Sequence, residues 1–205
     1  MIDLYTFGTS NGLRASVMLE ECAATYTPHK VDILKREQKN PEFLKINPMG
    51  AIPVIVDHDG PGGAKLTLSQ SAAILFYLAG KFGKFLPKDP LQRALVDQWT
   101  MVAATDVGPQ FGVCFQLSMR EERTPAITEL VESRMSGMLR TVNARLADQR
   151  FLAGEYSIAD IAMYPVWYRT KQRLAHLTGG LDHIDRWAAE IGARPAVQRG
   201  LKIPA

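Results

Sequence analysis

Two neighbouring stretches of the sequence could together bind a peptide that carries an acid group. Ile52-Pro53 opens the apolar run that ends at Asp57. An X-Pro bond at this place is sometimes cis and would turn the Ile52 backbone outward, where its N–H and C=O could pair with an extended peptide. After a Gly-rich turn, Ser71 begins a periodic helix whose free N–H groups can hold a carboxylate. The spacing therefore predicts one site for a peptide backbone and an acid group.

The order Ile-Pro, hairpin, Ser-Gln-Ser and helix resembles the glutathione-binding half of the cytosolic glutathione transferases. Further motifs make the chain most similar to the bacterial Nu class and its fungal relatives. These are Thr9-Ser10-Asn11-Gly12, Leu19-Glu20-Glu21, Val31-Asp32, Asn40-Pro41-Glu42-Phe43-Leu44 and Ser157-Ile158-Ala159-Asp160. The resemblance covers essentially the whole chain, and it implies that glutathione is a cosubstrate.

The resemblance implies an enzyme in which the thiolate of bound glutathione is the nucleophile. Disulfide reduction of the Nu type is the preferred activity, and conjugation of small electrophiles, a detoxification chemistry, is the alternative. A non-catalytic binding or regulatory module is a second alternative, because a fold does not by itself fix a function. A two-cysteine thioredoxin-type enzyme is disfavoured, because the required motif is missing.

Thr9, Ser10 and Asn11 stand between the first predicted strand and the first predicted helix, where polar residues are usually caps. They cannot exchange disulfides, but their hydroxyl and amide groups can stabilise a thiolate that the substrate supplies. One or two charge-assisted hydrogen bonds of roughly 1.5–3 kcal/mol lower a thiol pKa from ~8.5 by about one to two units. The resemblance to the Nu class implies that Thr9 and Asn11 line the thiol site. Several other classes of the family use a serine four residues before an arginine at this site, and Ser10 stands in that position before Arg14.

The resemblance assigns glutathione binding to Ile52, Pro53, Gln70 and Ser71. Gln38 or Lys39 would reach the glycyl carboxylate. Because Gln70 is neutral where many relatives are acidic, the ammonium group of glutathione needs a second acceptor.

The resemblance also points to residues of the second half of the chain. Asp106 of a partner subunit is a candidate for the second acceptor of the ammonium group, which implies a homodimer. Arg134 matches a basic position that adds positive potential over the thiol. The pocket for the electrophile is expected between the domains, lined by one or two of five aromatic residues: Phe111, Phe115, Tyr164, Trp167 and Tyr168.

The hydrophobic pattern predicts strands only in the first 70 residues and helices afterwards. This indicates a mixed α/β layer joined to an all-helical layer, and the resemblance makes it a thioredoxin-like domain with a four-stranded mixed sheet plus a helical bundle. We predict domains at 1–83 and 91–205 with a linker at 84–90. Tyr26 to Ile33 reads as the second strand, Gly108-Pro109 should bend a long helix, and Leu181 to Ile191 is the last predicted helix.

Composition sets limits on the partners. A net charge of +3 with scattered charges does not suggest a nucleic-acid surface, and no apolar run approaches the ~18 residues of a membrane span. With two distant cysteines and no signal-peptide pattern, the expected location is the reducing cytoplasm. The four histidines have no ligand spacing, so no metal is expected.

Overall fold

The structure is a computed structural model that describes residues 1–204. The chain divides into two compact units, residues 1–84 together with 193–205, and residues 85–192. By its contacts the C-terminal segment belongs to the first unit, whereas the sequence analysis assigned it to the helical part by continuity. The predicted boundaries of separately folding domains stay a prediction.

The first unit contains a four-stranded mixed sheet, as predicted. Its strands are β1 (Ile2–Thr6), β2 (Tyr26–Lys30), β3 (Val54–Asp57) and β4 (Leu66–Ser69), in the spatial order β2-β1-β3-β4. β1 pairs in parallel with β2 and antiparallel with β3, and β3 pairs antiparallel with β4. β3 is buried along its whole length, as expected for an interior strand.

The second strand is shorter than predicted. It ends at Lys30, and the chain then enters two short helical turns, Ile33–Lys35 and Glu37–Lys39, the first capped by the Asp32 side chain. Pro28 is accommodated because β2 is an edge strand, where a missing N–H leaves no gap inside the sheet.

The helices of the first unit are α1 (Ser10–Cys22), α2 (Pro41–Ile46), α3 (Ser71–Phe82) and, near the end of the chain, α9 (Pro195–Gly200). α3 confirms the predicted helix, with Leu75 and Leu78 fully buried. α9 is not predicted from the sequence, where Arg194-Pro195 marks the end of the last predicted helix. Proline at the first helical position instead begins this helix.

α9 packs on α1 at close range. A Cβ on Gly200 would lie 2.6 Å from the Val17 Cα, so only glycine allows this approach. The Ser16 hydroxyl donates to the Gly200 carbonyl at 2.8 Å, and Arg194 forms a two-pronged ion pair with Glu21 at 2.6 and 2.9 Å. The C-terminal segment thereby holds the helix that carries Thr9, Ser10 and Asn11 at its other end.

The second unit is helical, with α4 (Pro90–Met101), α5 (Gly108–Ser118), α6 (Pro125–Arg145), α7 (Ile158–Arg173) and α8 (Asp182–Gly192). Directly before Gly108-Pro109 the helix widens to a π-helical turn over Val102–Val107, and the predicted bend of the helix axis stays a prediction. There the Gly108 N–H donates to the Ala103 carbonyl five residues earlier, next to the proline that lacks a donor. No helix in residues 1–204 combines the length and the apolar composition of a membrane span.

The predicted capping box at the start of α7 is confirmed and is part of a larger buried network. Asp160 is fully buried and accepts from the Ser157 N–H at 3.0 Å. Its other oxygen accepts from the Leu152 N–H at 3.0 Å and from the Trp187 indole at 2.8 Å. Burial nevertheless raises the pKa of Asp160 to about 6, against the lowering effect of these donors.

Candidate functional site

A buried arginine connects the two helices that the sequence analysis assigned to the site. Arg14, on α1, is 1% exposed, and its Nη1 donates to the Asn11 side-chain oxygen at 2.7 Å and to the Ser71 hydroxyl at 3.1 Å. Burial lowers the pKa of Arg14 to about 10, which leaves the guanidinium charged at neutral pH. The first turn of α1 and the first residue of α3 therefore meet around one positive charge.

Asn11 and Thr9 keep donors available at the start of α1. Since Arg14 occupies the oxygen of the exposed Asn11 amide, the amide NH₂ is the group left for a ligand. The Thr9 oxygen accepts from the Gly12 N–H at 3.1 Å, so Thr9 is the helix cap while its hydroxyl hydrogen can still donate. Ser10 is 9% exposed and is the least accessible of the three.

Ser71 begins α3 and is buried, with 7% of the residue exposed. Its oxygen accepts from Arg14, and its hydroxyl hydrogen remains for a ligand at the positive end of the helix. The preceding residue, Gln70, is exposed and has a φ of 72°, a left-handed conformation that costs a non-glycine residue of order 1 kcal/mol or more. Backbone strain of this kind is often found at ligand sites.

The predicted peptide-binding edge contains a cis peptide bond at Ile52-Pro53. The ladder between β3 and β4 begins only at Val54, so the backbone groups of Ile52 lie outside it. The Ile52 side chain packs on the core cluster of Val31, Phe43 and Val54, which fixes this part of the backbone.

Gln38 and Lys39 lie against the loop that leads to Ile52. Lys39 Nζ donates to the Met49 carbonyl at 3.2 Å. A Cβ on Gly50 would lie 2.9 Å from the Gln38 carbonyl oxygen, so the two segments are in close contact. The Gln38 side-chain oxygen is buried with no hydrogen-bond partner in residues 1–204. Gln38, Lys39 and the Ile52 edge are thus brought together.

Neither cysteine has the surroundings of a reactive thiol. Cys22 and Cys114 are free and buried, and burial raises the pKa of Cys22 to about 11 and raises that of Cys114 as well. Both thiols are therefore protonated at neutral pH. No cluster of His, Cys, Asp or Glu in residues 1–204 has the arrangement of a metal site.

The candidates in the helical unit differ in accessibility. Asp106 is exposed on the wide turn Val102–Val107 that precedes α5, and Arg134 is exposed on α6. Of the five aromatic residues, Phe111, Tyr164 and Trp167 are buried in this unit, while Phe115 and Tyr168 are partly exposed. Phe115 stacks on Phe111, with ring centroids 6.0 Å apart, and Tyr168 stacks on Tyr164 at 6.2 Å. Phe115 and Tyr168 are thus the two of the five that a ligand can reach most easily.

Sequence reasoning missed Arg14 as a site residue. It noted the arginine only as a spacing marker four residues after Ser10, because a basic residue on a predicted helix is usually exposed. The available signal was that Arg14 lies on the same helical face as the buried residues Leu13, Val17 and Met18.

Comparison with known proteins identifies the family. Residues 2–80 match the glutathione S-transferase N-terminal domain, and residues 125–198 match the glutathione S-transferase C-terminal domain. The chain belongs to the glutathione S-transferase family. It has this family's fold, a thioredoxin-like domain followed by a helical domain, and the predicted resemblance is confirmed.

Two curated glutathione S-transferase relatives are disulfide-bond oxidoreductases of Escherichia coli (strain K12). YfcG is 38% identical over 207 residues, covering 98% of this chain and 94% of that protein. YghU is 33% identical over 221 residues, covering 97% of this chain and 73% of that protein. A glutathione transferase from Pseudomonas putida, solved with one glutathione disulfide bound per subunit, has a TM-score of 0.93 and 35% identity. That alignment covers 100% of this chain and 92% of the other.

Proposed function

We propose that this protein is a glutathione-dependent disulfide reductase in which the thiol of bound glutathione, and no thiol of the chain, is the nucleophile. The observation that carries the proposal is the Asn11–Arg14–Ser71 cluster, which joins a thiolate donor and a carboxylate donor around one buried positive charge. The protonated state of Cys22 and the names of the relatives support it.

Each part of glutathione has a matching group in the first unit. The Ile52 backbone pairs with the cysteinyl peptide groups, and Ser71, backed by Arg14, binds the γ-glutamyl carboxylate. Gln38, with Lys39 beside it, faces the glycyl carboxylate. Gln70 contributes its neutral amide to the γ-glutamyl ammonium group.

At the sulfur, the Asn11 amide and the Thr9 hydroxyl donate hydrogen bonds to the thiolate and lower its pKa. The Asn11 amide is preferred to Ser10 because it is exposed and already oriented by Arg14, whereas Ser10 is nearly buried. The protein contributes position and anion stabilisation, not a covalent intermediate.

The reaction balances with two glutathione molecules. The bound thiolate attacks one sulfur of a disulfide, a new S–S bond joins glutathione to that sulfur, and the other half leaves as a thiolate that takes up a proton. A second glutathione thiolate then attacks the glutathione sulfur of the mixed disulfide and releases the remaining thiol. The products are glutathione disulfide and two thiols.

We further propose a homodimer in a reducing cytoplasm. A reducing cytoplasm supplies reduced glutathione and keeps cysteines unpaired, as Cys22 and Cys114 are here. The exposed Asp106 and Arg134 are available to a partner subunit or to the ligand.

The test measures the rate at which the protein reduces hydroxyethyl disulfide with glutathione. The glutathione disulfide formed is monitored by a coupled reaction with glutathione reductase. Reduction well above the uncatalysed rate is expected. Conjugation of an aryl halide without disulfide reduction would instead favour a conjugating transferase. Glutathione binding with neither activity would favour a non-catalytic module.

A further inference from the structure

The buried face of β1 ends in a threonine with an unpaired hydroxyl. Ile2, Leu4 and Thr6 alternate along the strand and are all buried, and Thr6 is 0% exposed. The Thr6 hydroxyl oxygen has no hydrogen-bond partner among the described residues 1–204. A valine would have a similar shape and the same preference for a strand, without the cost of an unpaired buried hydroxyl. The packing of the sheet therefore does not explain why this residue is a threonine.

The first turn of α1 lies directly on this hydroxyl. A Cβ on Gly12 would be 2.5 Å from the Thr6 hydroxyl oxygen and 2.1 Å from the Phe7 carbonyl oxygen, so only glycine fits there. The Gly12 N–H also donates to the Thr9 hydroxyl at 3.1 Å. Gly12 thus connects the end of β1 to Thr9, and it directly follows Asn11 in the chain.

An oxygen atom on Thr6 allows a closer approach of Gly12 than a methyl group would. The Gly12 hydrogen that stands in place of a Cβ lies close to the Thr6 oxygen. A carbon atom packs at about 3.3–3.6 Å from an oxygen in such a C–H contact, and at about 3.5–4.0 Å from another carbon. A methyl group at this place would therefore push Gly12 away by a few tenths of an ångström. The bond from Gly12 to Thr9 would lengthen, and Asn11 would move with the turn.

We propose that Thr6 is a positioning residue of the glutathione thiol site: its hydroxyl sets how closely the first turn of α1 packs on β1 and thereby orients Thr9 and Asn11 toward the sulfur. This inference rests on the proposed function, in which Thr9 and Asn11 stabilise the thiolate. Thr6 is fully buried and acts through Gly12, without touching glutathione or the disulfide. An unpaired hydroxyl in the core is thus retained for the geometry of the site, where departures from the best local choice of residue are expected.

Thr6→Val tests the hydroxyl with the least change of shape. The ultraviolet absorbance of the thiolate, followed against pH, gives the pKa of the thiol in bound glutathione. We expect Thr6→Val to raise this pKa by about 0.5–1 unit, because the hydrogen bonds from Thr9 and Asn11 to the thiolate are weakened. The free energy of unfolding in urea should stay close to that of the wild type, because removal of an unpaired buried hydroxyl offsets the strain at Gly12.

Thr6→Ser should show the opposite pattern. It keeps the oxygen and loses a buried methyl group, so the protein should be less stable while the thiol pKa stays close to that of the wild type. Thr100→Val is the matched control, because Thr100 is also fully buried but its hydroxyl donates to the Val96 carbonyl at 2.7 Å in the helical unit. This control should leave the thiol pKa unchanged.

The outcomes separate this inference from the proposed function. A wild-type thiol pKa in Thr6→Val, or an equal rise in Thr6→Ser or Thr100→Val, would overturn the positioning role of the hydroxyl. A Thr6→Val protein that is less stable than Thr6→Ser would also overturn it, since the hydroxyl would then be a structural group. If the wild type lowers the thiol pKa but does not reduce hydroxyethyl disulfide, the reductase function fails, and the Thr6→Val titration still decides the inference. A wild type that does not lower this pKa contradicts both.

Discussion

Replacement of Arg14 by methionine should impair glutathione binding far more than folding. Methionine keeps an apolar stem of similar length but removes the charge and the donors to Asn11 and Ser71. Without them, the Asn11 amide is free to rotate, and only the positive end of α3 is left to attract an anion at Ser71. The perturbation therefore separates the role of the charge from the role of the side-chain volume.

The stability effect is a difference between two opposing contributions. A pKa lowered from 12.5 to about 10 corresponds to a penalty of about 3 kcal/mol for holding the charged form of Arg14 in the interior. Two hydrogen bonds from a charged group contribute roughly 1.5–3 kcal/mol each. From the bonds to Asn11 and Ser71, Arg14→Met should thus lower the free energy of unfolding by about 0–3 kcal/mol.

The effect on binding has no such compensation. Arg14 lies 3.1 Å from the Ser71 oxygen, and a carboxylate one hydrogen bond beyond that oxygen would be at most about 6 Å away, where two charges at an effective dielectric constant of ~20 attract by about 3 kcal/mol. A loss of about 2–3 kcal/mol in glutathione affinity corresponds to roughly 30–150-fold in Kd.

Urea unfolding and calorimetric titration with glutathione measure the two effects on the same preparation. Arg93→Met, on α4 of the other unit, where Arg93 pairs with Asp97 at 2.9 Å, is the matched control and should leave the affinity unchanged. A folded Arg14→Met variant with wild-type affinity would refute the reasoning and make Arg14 a packing residue only.

Three further outcomes follow from individual contacts. Ser71→Ala should weaken glutathione binding by roughly 1–2 kcal/mol in calorimetry, and unchanged affinity would reduce Ser71 to the first residue of a helix. Asn11→Ala should raise the pH midpoint of kcat/KM, with partial recovery of the rate at alkaline pH; a slower variant with an unshifted midpoint would argue against thiolate stabilisation by Asn11. Burial raises the pKa of Asp160 in the folded state to about 6 from its ordinary value of 3.8, so its protonation stabilises the native state below about pH 4, and this contribution is lost as the pH rises through 6. The stability advantage of the wild type over Asp160→Asn should therefore shrink by roughly 2–2.5 kcal/mol between pH 4 and pH 7 in urea unfolding, and an advantage that grows with pH would show that the pKa is depressed.

Local signals predicted much of the fold. Period-two and helical patterns indicated the sheet and α3, and Ser157 with Asp160 indicated the start of α7. Each of these features depends on residues close together in the chain, which sequence patterns can register.

Long-range contacts could not be predicted in the same way. Arg14 meets Ser71 across 57 positions, and the C-terminal segment returns to α1 across more than 170. Gln70 has a positive φ, which glutamine does not favour, and it is the single residue between the end of β4 and the start of α3. The roles of the site residues therefore depended on the family resemblance, and the structure adds the arginine that connects them.

The central claim is that the reactive thiol belongs to glutathione. The most direct measurement is kcat/KM for glutathione-dependent reduction of hydroxyethyl disulfide by the Cys22→Ala/Cys114→Ala variant, with glutathione affinity and folding checked in parallel. Because both thiols are buried and protonated, we predict that the variant keeps most of the wild-type activity. Loss of activity in a folded variant that still binds glutathione would contradict the account and point to a thiol of the protein itself.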